Sequence, residues 1–127
     1  IADPVSEIIL ATGYTYTYPF LEEEDLGLEF GPARRYVAPL YQHCAHARRP
    51  SLGFIGVPLA VPCPIPLFEA QARFLAAVFT GRLAVGGCAT TAEREAWVAR
   101  RREQVGERSQ DLHFLSGNAW DYMKELT

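Results

Sequence analysis

Two short apolar runs bounded by glycine stand out in the first half of the chain. Residues 5–11 end shortly before Gly13, and residues 51–57 contain Gly53 and Gly56. Neither run alternates between apolar and polar positions, which is typical of strands that are covered on both faces. The pattern predicts two buried strands, and the glycine after the first one allows another group to approach the backbone closely.

An amphipathic helix is predicted from Pro66 to Thr80. Proline suits the first helical position because its missing N–H costs no hydrogen bond there, and Gly81 stands where a glycine commonly ends a helix. At about 100° per residue, one face of this helix collects apolar side chains, namely Leu67, Ala70, Phe74, Leu75 and Val78. Gln71 falls in the middle of that face, so its amide needs a hydrogen-bond partner inside the protein.

The C-terminal part, residues 90–127, is predicted to form surface helices. Thr90 and Glu93 match a capping box that opens a charged helix with a weak apolar stripe, ending near Gly106. A short final helix is predicted from residue 119 to residue 126. Both helices are expected to lie on the outside of the protein.

The connecting segments are predicted from proline and glycine. Prolines crowd residues 58–66, and because proline sustains neither a sheet ladder nor a helix interior, this stretch is expected to be an extended loop. Residues 34–50 show no clear period and are expected to hold one short strand. Gly86-Gly87 predicts a turn.

The composition is that of an ordinary globular domain. The 127 residues are 49% hydrophobic and 21% charged, with a net charge of −3. This charge argues against nucleic acid as a partner, which would require a basic patch. No window reaches the ~18 apolar residues of a membrane helix, so membrane association is not indicated. Neither an initiator methionine nor a charged-then-apolar leader is present, so no targeting signal can be read.

The cysteines, Cys44, Cys63 and Cys88, give an odd number at wide spacing. This favours reduced thiols over a disulfide framework and predicts an intracellular, cytoplasmic protein. His43 and His46 flank Cys44 closely, but the spacing is not that of zinc ligands. No metal site is therefore predicted.

Together these elements predict an α/β protein that is incomplete on its own. A complete nucleotide-binding unit joins a strand, a glycine-rich turn and a helix within ~30 residues. The chain contains neither a G-x-G-x-x-G motif nor a P-loop motif. We therefore expect the tail of a larger α/β protein, without its phosphate-binding part.

Four blocks of sequence resemble flavin-containing monooxygenases in the same order. Residues 9–14, Ile-Leu-Ala-Thr-Gly-Tyr, are similar to the "ATGY" signature of that family. Leu40-Tyr41, then Leu52–Gly56 and then Pro66–Phe74 resemble its later blocks, and Trp120-Asp121-Tyr122 also fits. The resemblance implies the C-terminal portion of a Rossmann-like flavoprotein with two dinucleotide-binding domains.

The resemblance implies an enzyme that uses NADPH to reduce FAD. The reduced flavin takes up O₂ as a C4a-hydroperoxide, which oxygenates a soft nucleophile such as an amine nitrogen or a sulfide sulfur. The glycine motifs for FAD and NADP are expected upstream of Ile1, in a missing N-terminal part. The chain is then a fragment that is not expected to be active alone, and no catalytic residue is assigned in it.

On this resemblance, residues 1–127 complete the FAD-binding domain. Residues 1–21 carry the strand and crossover from the NADPH domain, and residues 51–82 carry the second strand, the proline-rich loop and the flavin-side helix. Residues 90–127 provide the C-terminal surface helices.

Cofactor contacts are expected at two places. Thr12, Gly13 and Tyr14 are expected close to a dinucleotide, although a plain bend after a strand is the alternative. Pro66 and Leu67 begin a helix whose partial positive charge suits the anionic edge of a reduced flavin.

The buried amide of Gln71 has two interpretations. A flavin edge would satisfy it, and a core amide bonded to backbone is the alternative. Tyr14, Tyr16 and Tyr18 are also ambiguous: they line a substrate path or simply pack against the core.

Two other functions stay open at this level. One is a related flavoprotein with two dinucleotide sites, such as a Baeyer–Villiger oxygenase or a reductase. The other is a non-catalytic remnant that acts as a binding module for another protein.

Overall fold

A computed structural model of the chain describes residues 6–83, 89–106 and 111–127. Four α-helices occur in these ranges: α1 (Glu23–Leu26), α2 (Pro64–Phe79), α3 (Thr91–Val105) and α4 (Ala119–Glu125). Short 3-10 turns span Pro32–Arg34 and Ser116–Asn118. The turn predicted at Gly86-Gly87, and Cys88 with it, lie outside the described residues.

The strands are short and form two separate antiparallel pairs. They are β1 (Glu29–Phe30), β2 (Val37–Ala38), β3 (Leu40–Tyr41) and β4 (Ala45–His46). Glu29 stands opposite Ala38 in the first pair, and Leu40 stands opposite His46 in the second. The described part of the chain thus combines helices with small sheets, and it contains no Rossmann-type parallel sheet.

The strand predicted at residues 5–11 is wrong for the described residues 6–11. They form no ladder and their apolar side chains face outward, with Ile9 90% exposed. A strand needs a neighbouring backbone to pair with. No strand of the described residues pairs with this run, and its apolar side chains are not buried.

The strand predicted at residues 51–57 is also wrong, for a different reason. Only Gly53 pairs, in a single antiparallel bridge with Ala45. A Cβ atom at Gly53 would lie 2.6 Å from the Leu75 side chain, so the glycine is there to let the backbone pass against α2. Gly56 then adopts φ +84°, which turns the chain out of an extended conformation.

The predicted amphipathic helix is confirmed as α2, but it begins earlier than predicted. It starts at Pro64 rather than Pro66, and it ends at Phe79, followed by Gly81 at φ +67°. The positive φ is what a glycine at this position provides. The inward face is buried as predicted at four positions, Leu67, Ala70, Phe74 and Leu75, and Gln71 is buried with them.

The larger hydrophobic cluster joins α2 to the β3–β4 hairpin and to the C-terminal segment. The inner face of α2 packs against Cys44 and Ala45 on one side and against Leu115, Ala119 and Tyr122 on the other. A second cluster holds Val37, Leu40, Phe54 and Val57, with the rings of Tyr16 and Tyr18 against it. These two tyrosines therefore pack, while Tyr14 is 94% exposed.

Helices α3 and α4 are less superficial than predicted. The capping box of α3 is confirmed, since Thr90 Oγ1 accepts from Glu93 N–H and the Glu93 carboxylate accepts from Thr90 N–H. Yet α3 buries Arg94, which donates to the carbonyl oxygens of Ala47 at 2.6 Å and of Ala89. The guanidinium thus ties α3 to the segment after β4, and α4 buries Tyr122 in the larger cluster.

The close approach at Gly53 gives a first prediction. We expect Gly53→Ala to lower the free energy of unfolding by about 1–3 kcal/mol, because the added methyl overpacks the contact with Leu75. Gly117→Ala is the control, since a Cβ atom there meets nothing within 4 Å. Urea denaturation of both variants checks the prediction, and equal stabilities would contradict it.

Candidate functional site

Gln71 lies at the centre of a buried hydrogen-bond chain. Its side chain is 0% exposed, and its Oε1 accepts from the backbone N–H of Gly56 at 2.9 Å. Its Nε2 donates to the hydroxyl of Tyr122, also at 2.9 Å. Tyr122 in turn donates its hydroxyl proton to the carbonyl oxygen of Gln42 at 2.6 Å.

This geometry removes the physical reason for a direct flavin contact at Gln71. Both ends of the amide have partners inside the chain, so no cofactor is needed to satisfy it. The alternative, a core amide bonded to backbone, agrees better with these contacts, although one of the two partners is a tyrosine hydroxyl. A flavin-binding role for Gln71 stays a prediction, now through the atoms that it holds in place.

The phenol of Tyr122 and the neighbouring thiol of Cys44 are both kept neutral. Burial raises the pKa of Tyr122 well above its usual value, and the neighbouring Cys44 adds to the shift. Burial likewise raises the pKa of the Cys44 thiol to about 12. Tyr122 therefore remains a hydroxyl donor at neutral pH, and Cys44 is an unreactive core thiol.

The N-terminus of α2 is open and has no side-chain cap. The N-cap residue Cys63 makes no capping hydrogen bond, and Ile65 in the first turn is 72% exposed. The first three helix residues are Pro64, Ile65 and Pro66. Because proline lacks an N–H group, Ile65 provides the backbone N–H donor among these three residues. Leu67 is fully buried in the core, so its side chain does not face this end of the helix.

Thr12, Gly13 and Tyr14 lie in an exposed segment that is held by one arginine. Arg35 donates to the carbonyl oxygen of Thr12 at 2.7 Å and to that of Tyr14 at 3.4 Å. Gly13 adopts φ +75° directly against this guanidinium. These contacts are separate from those of Gln71, so the structure gathers the predicted residues into two places rather than one.

A pair of buried histidines escaped the sequence analysis. His43 Nδ1 lies 3.0 Å from His113 Nδ1, and His113 Nε2 lies 2.7 Å from the carbonyl oxygen of Val37. Since a carbonyl only accepts, Nε2 of His113 carries the proton and its Nδ1 accepts from His43. The Nε2 atom of His43 is then an acceptor. The two residues are 70 positions apart, so no local spacing could reveal them.

His43 lines a polar cavity of about 330 Å³. Residues of α3 and α4 line it, including Trp97 and Arg101, together with Gln42. Gln42 and His43 both adopt left-handed backbone conformations, with φ of 47° and 54°. Gln42 Oε1 is a buried acceptor without a hydrogen-bond partner among the described residues.

Burial keeps both histidines neutral. It lowers the pKa of His43 to about 2, assisted by His113 and Arg101, and it lowers the pKa of His113 to about 4. Among residues 6–83, 89–106 and 111–127, no three histidine, cysteine or acidic side chains are grouped as a metal site. Across the same ranges, none of the helices has the length and hydropathy needed to cross a membrane.

Comparisons with known proteins give a consistent family. A family model described as flavin-binding monooxygenase-like matches residues 1–127. Flavin-containing monooxygenase 1 of Mus musculus is 34% identical over 124 residues, which cover 98% of this chain and 20% of that protein. Flavin-containing monooxygenase FMO GS-OX-like 2 of Arabidopsis thaliana is 40% identical over 79 residues, covering 61% of this chain and 16% of that protein.

A solved structure agrees with these relatives. The S-allyl-L-cysteine S-oxygenase of Allium sativum matches with a TM-score of 0.77 and 32% identity, over 91% of this chain and 26% of that one. The chain therefore spans about a quarter or less of the length of the proteins that it resembles here.

The histidine pair gives this region a testable pH dependence. Because the folded pKa values lie below the ordinary value near 6.5, unfolding takes up protons and stability falls as the pH drops from 7 to 5. Each histidine contributes about 2 kcal/mol to this loss. His113→Gln should reduce the loss by about that amount, measured by urea denaturation at both pH values. An unchanged loss in the variant would contradict the assignment.

Proposed function

The chain belongs to the flavin-binding monooxygenase-like family, and on that premise we propose that it forms the flavin-side part of an FAD- and NADPH-dependent monooxygenase. The proposed reaction oxygenates a soft nucleophile, either an amine nitrogen or a sulfide sulfur, with O₂ as the oxygen donor. The observation that carries the proposal is the match of the family model to the whole chain, supported by the uncapped N-terminus of α2.

The names of the relatives support the substrate class. The garlic protein is named as an S-oxygenase of S-allyl-L-cysteine, whose sulfur is a sulfide. The mouse protein is named as a flavin-containing monooxygenase. We propose NADPH as the reductant, and the ordered sequence blocks that resemble the same family support it. Because the chain spans 20% of the mouse protein, the substrate pocket and the glycine motifs are proposed to belong to the rest of the enzyme.

The end of α2 fits the polar edge of a flavin. Helix α3 satisfies its own first turn with a capping box, whereas Cys63 leaves the first turn of α2 without a side-chain acceptor. The N–H of Ile65 and the positive end of the helix dipole are then available to an acceptor from outside the chain. Pro66 restricts the backbone at this end, and Thr12–Tyr14 is the second proposed contact, through its exposed backbone.

When bound, the flavin supplies the electron-transfer and oxygen-transfer chemistry. The chain contributes orientation and exclusion of water. The first turn of α2 orients the flavin edge through its N–H and its dipole. Ile55, Leu59 and Ile65 are exposed apolar side chains of the preceding loop and of this turn, and they offer surface that a planar ring can cover.

We also propose an intracellular, cytoplasmic location. The two cysteines that the structure describes, Cys44 and Cys63, are free thiols, one buried and one exposed. An exposed free thiol suits a reducing compartment.

A labelling experiment tests the reaction class. With NADPH, isotopically labelled O₂ and methyl phenyl sulfide, the flavin-loaded enzyme should release a sulfoxide that carries one labelled oxygen atom. Oxidation of NADPH without oxygen transfer would favour a reductase. If a ketone replaces the sulfide, formation of a labelled ester would favour a Baeyer–Villiger oxygenase. Failure of the intact enzyme to retain flavin would favour a binding module.

A charge placed at the N-terminus of α2 tests the binding site. Ile65→Asp should raise the flavin dissociation constant about fivefold, because a carboxylate repels the negative edge of the flavin by about 1 kcal/mol. It should not destabilise the helix, since an acidic residue in the first turn is favourable. Anaerobic titration with the reduced, anionic flavin, followed by absorbance, measures the effect.

Two controls isolate this charge effect. Ile65→Asn removes the apolar side chain without adding charge, and Ala92→Asp adds the same charge at the equivalent position of α3. Both should bind flavin more tightly than Ile65→Asp. Equal flavin affinity in all three variants would contradict flavin binding at the N-terminus of α2.

A further inference from the structure

The geometry points to Tyr122 as a positioning residue of the flavin site. We propose that its hydroxyl fixes the amide of Gln71, which in turn fixes the backbone of Gly56 at the start of the loop that leads into α2. The inference rests on the proposed function, because it assigns Tyr122 to the flavin-side loop. Tyr122 itself is not placed against the flavin.

The direction of each hydrogen bond sets the orientation of the Gln71 amide. Tyr122 gives its one hydroxyl proton to the carbonyl oxygen of Gln42, so its oxygen can only accept from Gln71. That requirement places the NH₂ group of Gln71 toward Tyr122. The amide oxygen is then directed at the N–H of Gly56, which needs an acceptor. A flipped amide would lose both bonds.

Burial makes this arrangement strict. Gln71 is fully buried and Tyr122 is 5% exposed, so water is a poor substitute for either partner. The ring of Tyr122 also packs edge-on against His43, with 5.5 Å between the ring centroids. Both the ring and the hydroxyl of Tyr122 therefore have defined surroundings.

Hydrogen bonds hold the loop between Gly56 and α2 at several positions. Tyr16 donates its hydroxyl proton to the carbonyl oxygen of Val57 at 2.9 Å, and Leu59 N–H donates to the carbonyl oxygen of His113, also at 2.9 Å. Gln71 supplies the anchor at Gly56, and it stands on α2 itself. It therefore couples the beginning of the loop to the helix whose N-terminus is the proposed flavin contact.

The C-terminal helix is thereby coupled to the flavin side. Tyr122 lies on α4 and is 51 residues from Gln71 in sequence. Its hydroxyl links α4 to α2 in this series of hydrogen bonds. Loss of that hydroxyl frees the Gln71 amide to rotate and loosens the anchor at Gly56. The flavin would then meet a less well-ordered loop and helix end.

The test compares two tyrosine variants of the flavin-loaded enzyme. Tyr122→Phe keeps the ring and removes the hydroxyl. Tyr41→Phe is the matched control, because Tyr41 also packs against α2 through Phe74, with 6.2 Å between the ring centroids. Flavin affinity, the visible flavin spectrum and the flavin midpoint potential are measured, together with thermal stability.

Tyr122→Phe should weaken flavin binding about tenfold and change the spectrum or the midpoint potential, while Tyr41→Phe stays within about twofold of the wild type. The double variant Tyr122→Phe/Gln71→Met should bind flavin no more weakly than Gln71→Met alone, because the two changes share the Gln71–Tyr122 bond and Gln71→Met has already lost the anchor at Gly56. Gln71→Met decides the question by the same readouts if Tyr122→Phe does not fold.

Two results would overturn the inference. One is a loss of thermal stability in Tyr122→Phe with wild-type affinity, spectrum and potential, which would make Tyr122 a purely structural residue. The other is additive effects in the double variant. Failure of the wild-type enzyme to bind flavin would instead contradict the proposed function. The experiment therefore distinguishes failure of the inference from failure of the proposed function.

Discussion

A buried amide on the apolar face of a helix constrains this structure. Gln71 sits among side chains that exclude water, so each end of its amide must find a partner within the protein. It finds one in the loop before α2 and one on α4, and that second partner reaches the turn between β3 and β4. Three segments that are distant in sequence are thus fixed relative to one helix. Hydrophobic packing around α2 alone would not specify their orientation as strictly.

The same constraint changes how the flavin side of the protein is understood. A polar residue on a predicted apolar face invites assignment as a ligand contact, yet Gln71 is fully engaged inside the chain. The open features lie at the end of α2, where Cys63 provides no cap and Ile65 is exposed. Helix dipole and exposed backbone are then the means of holding a flavin edge, and the buried amide keeps that end in position.

Local patterns predicted the three longer helices well, because amphipathic spacing and capping are properties of neighbouring residues. The helix predicted from Pro66 to Thr80 and the capping box at Thr90 were recognisable for that reason, although α2 begins at Pro64 and ends at Phe79. The strands at residues 5–11 and 51–57 were not, since a strand is decided by a partner elsewhere in the chain. The apolar run near Ile9 has no such partner in the described residues, and the glycines of residues 51–57 serve close contact with α2. The His43–His113 pair and the Tyr122 hydroxyl were invisible because they join residues 70 and 51 positions apart.

A crystal structure of the enzyme with bound flavin is the most direct measurement. We expect Gln71 to keep its bonds to Gly56 N–H and to the Tyr122 hydroxyl, while a flavin edge lies at the first turn of α2. A Gln71 amide that has turned away from Tyr122 to bind the flavin itself would contradict it.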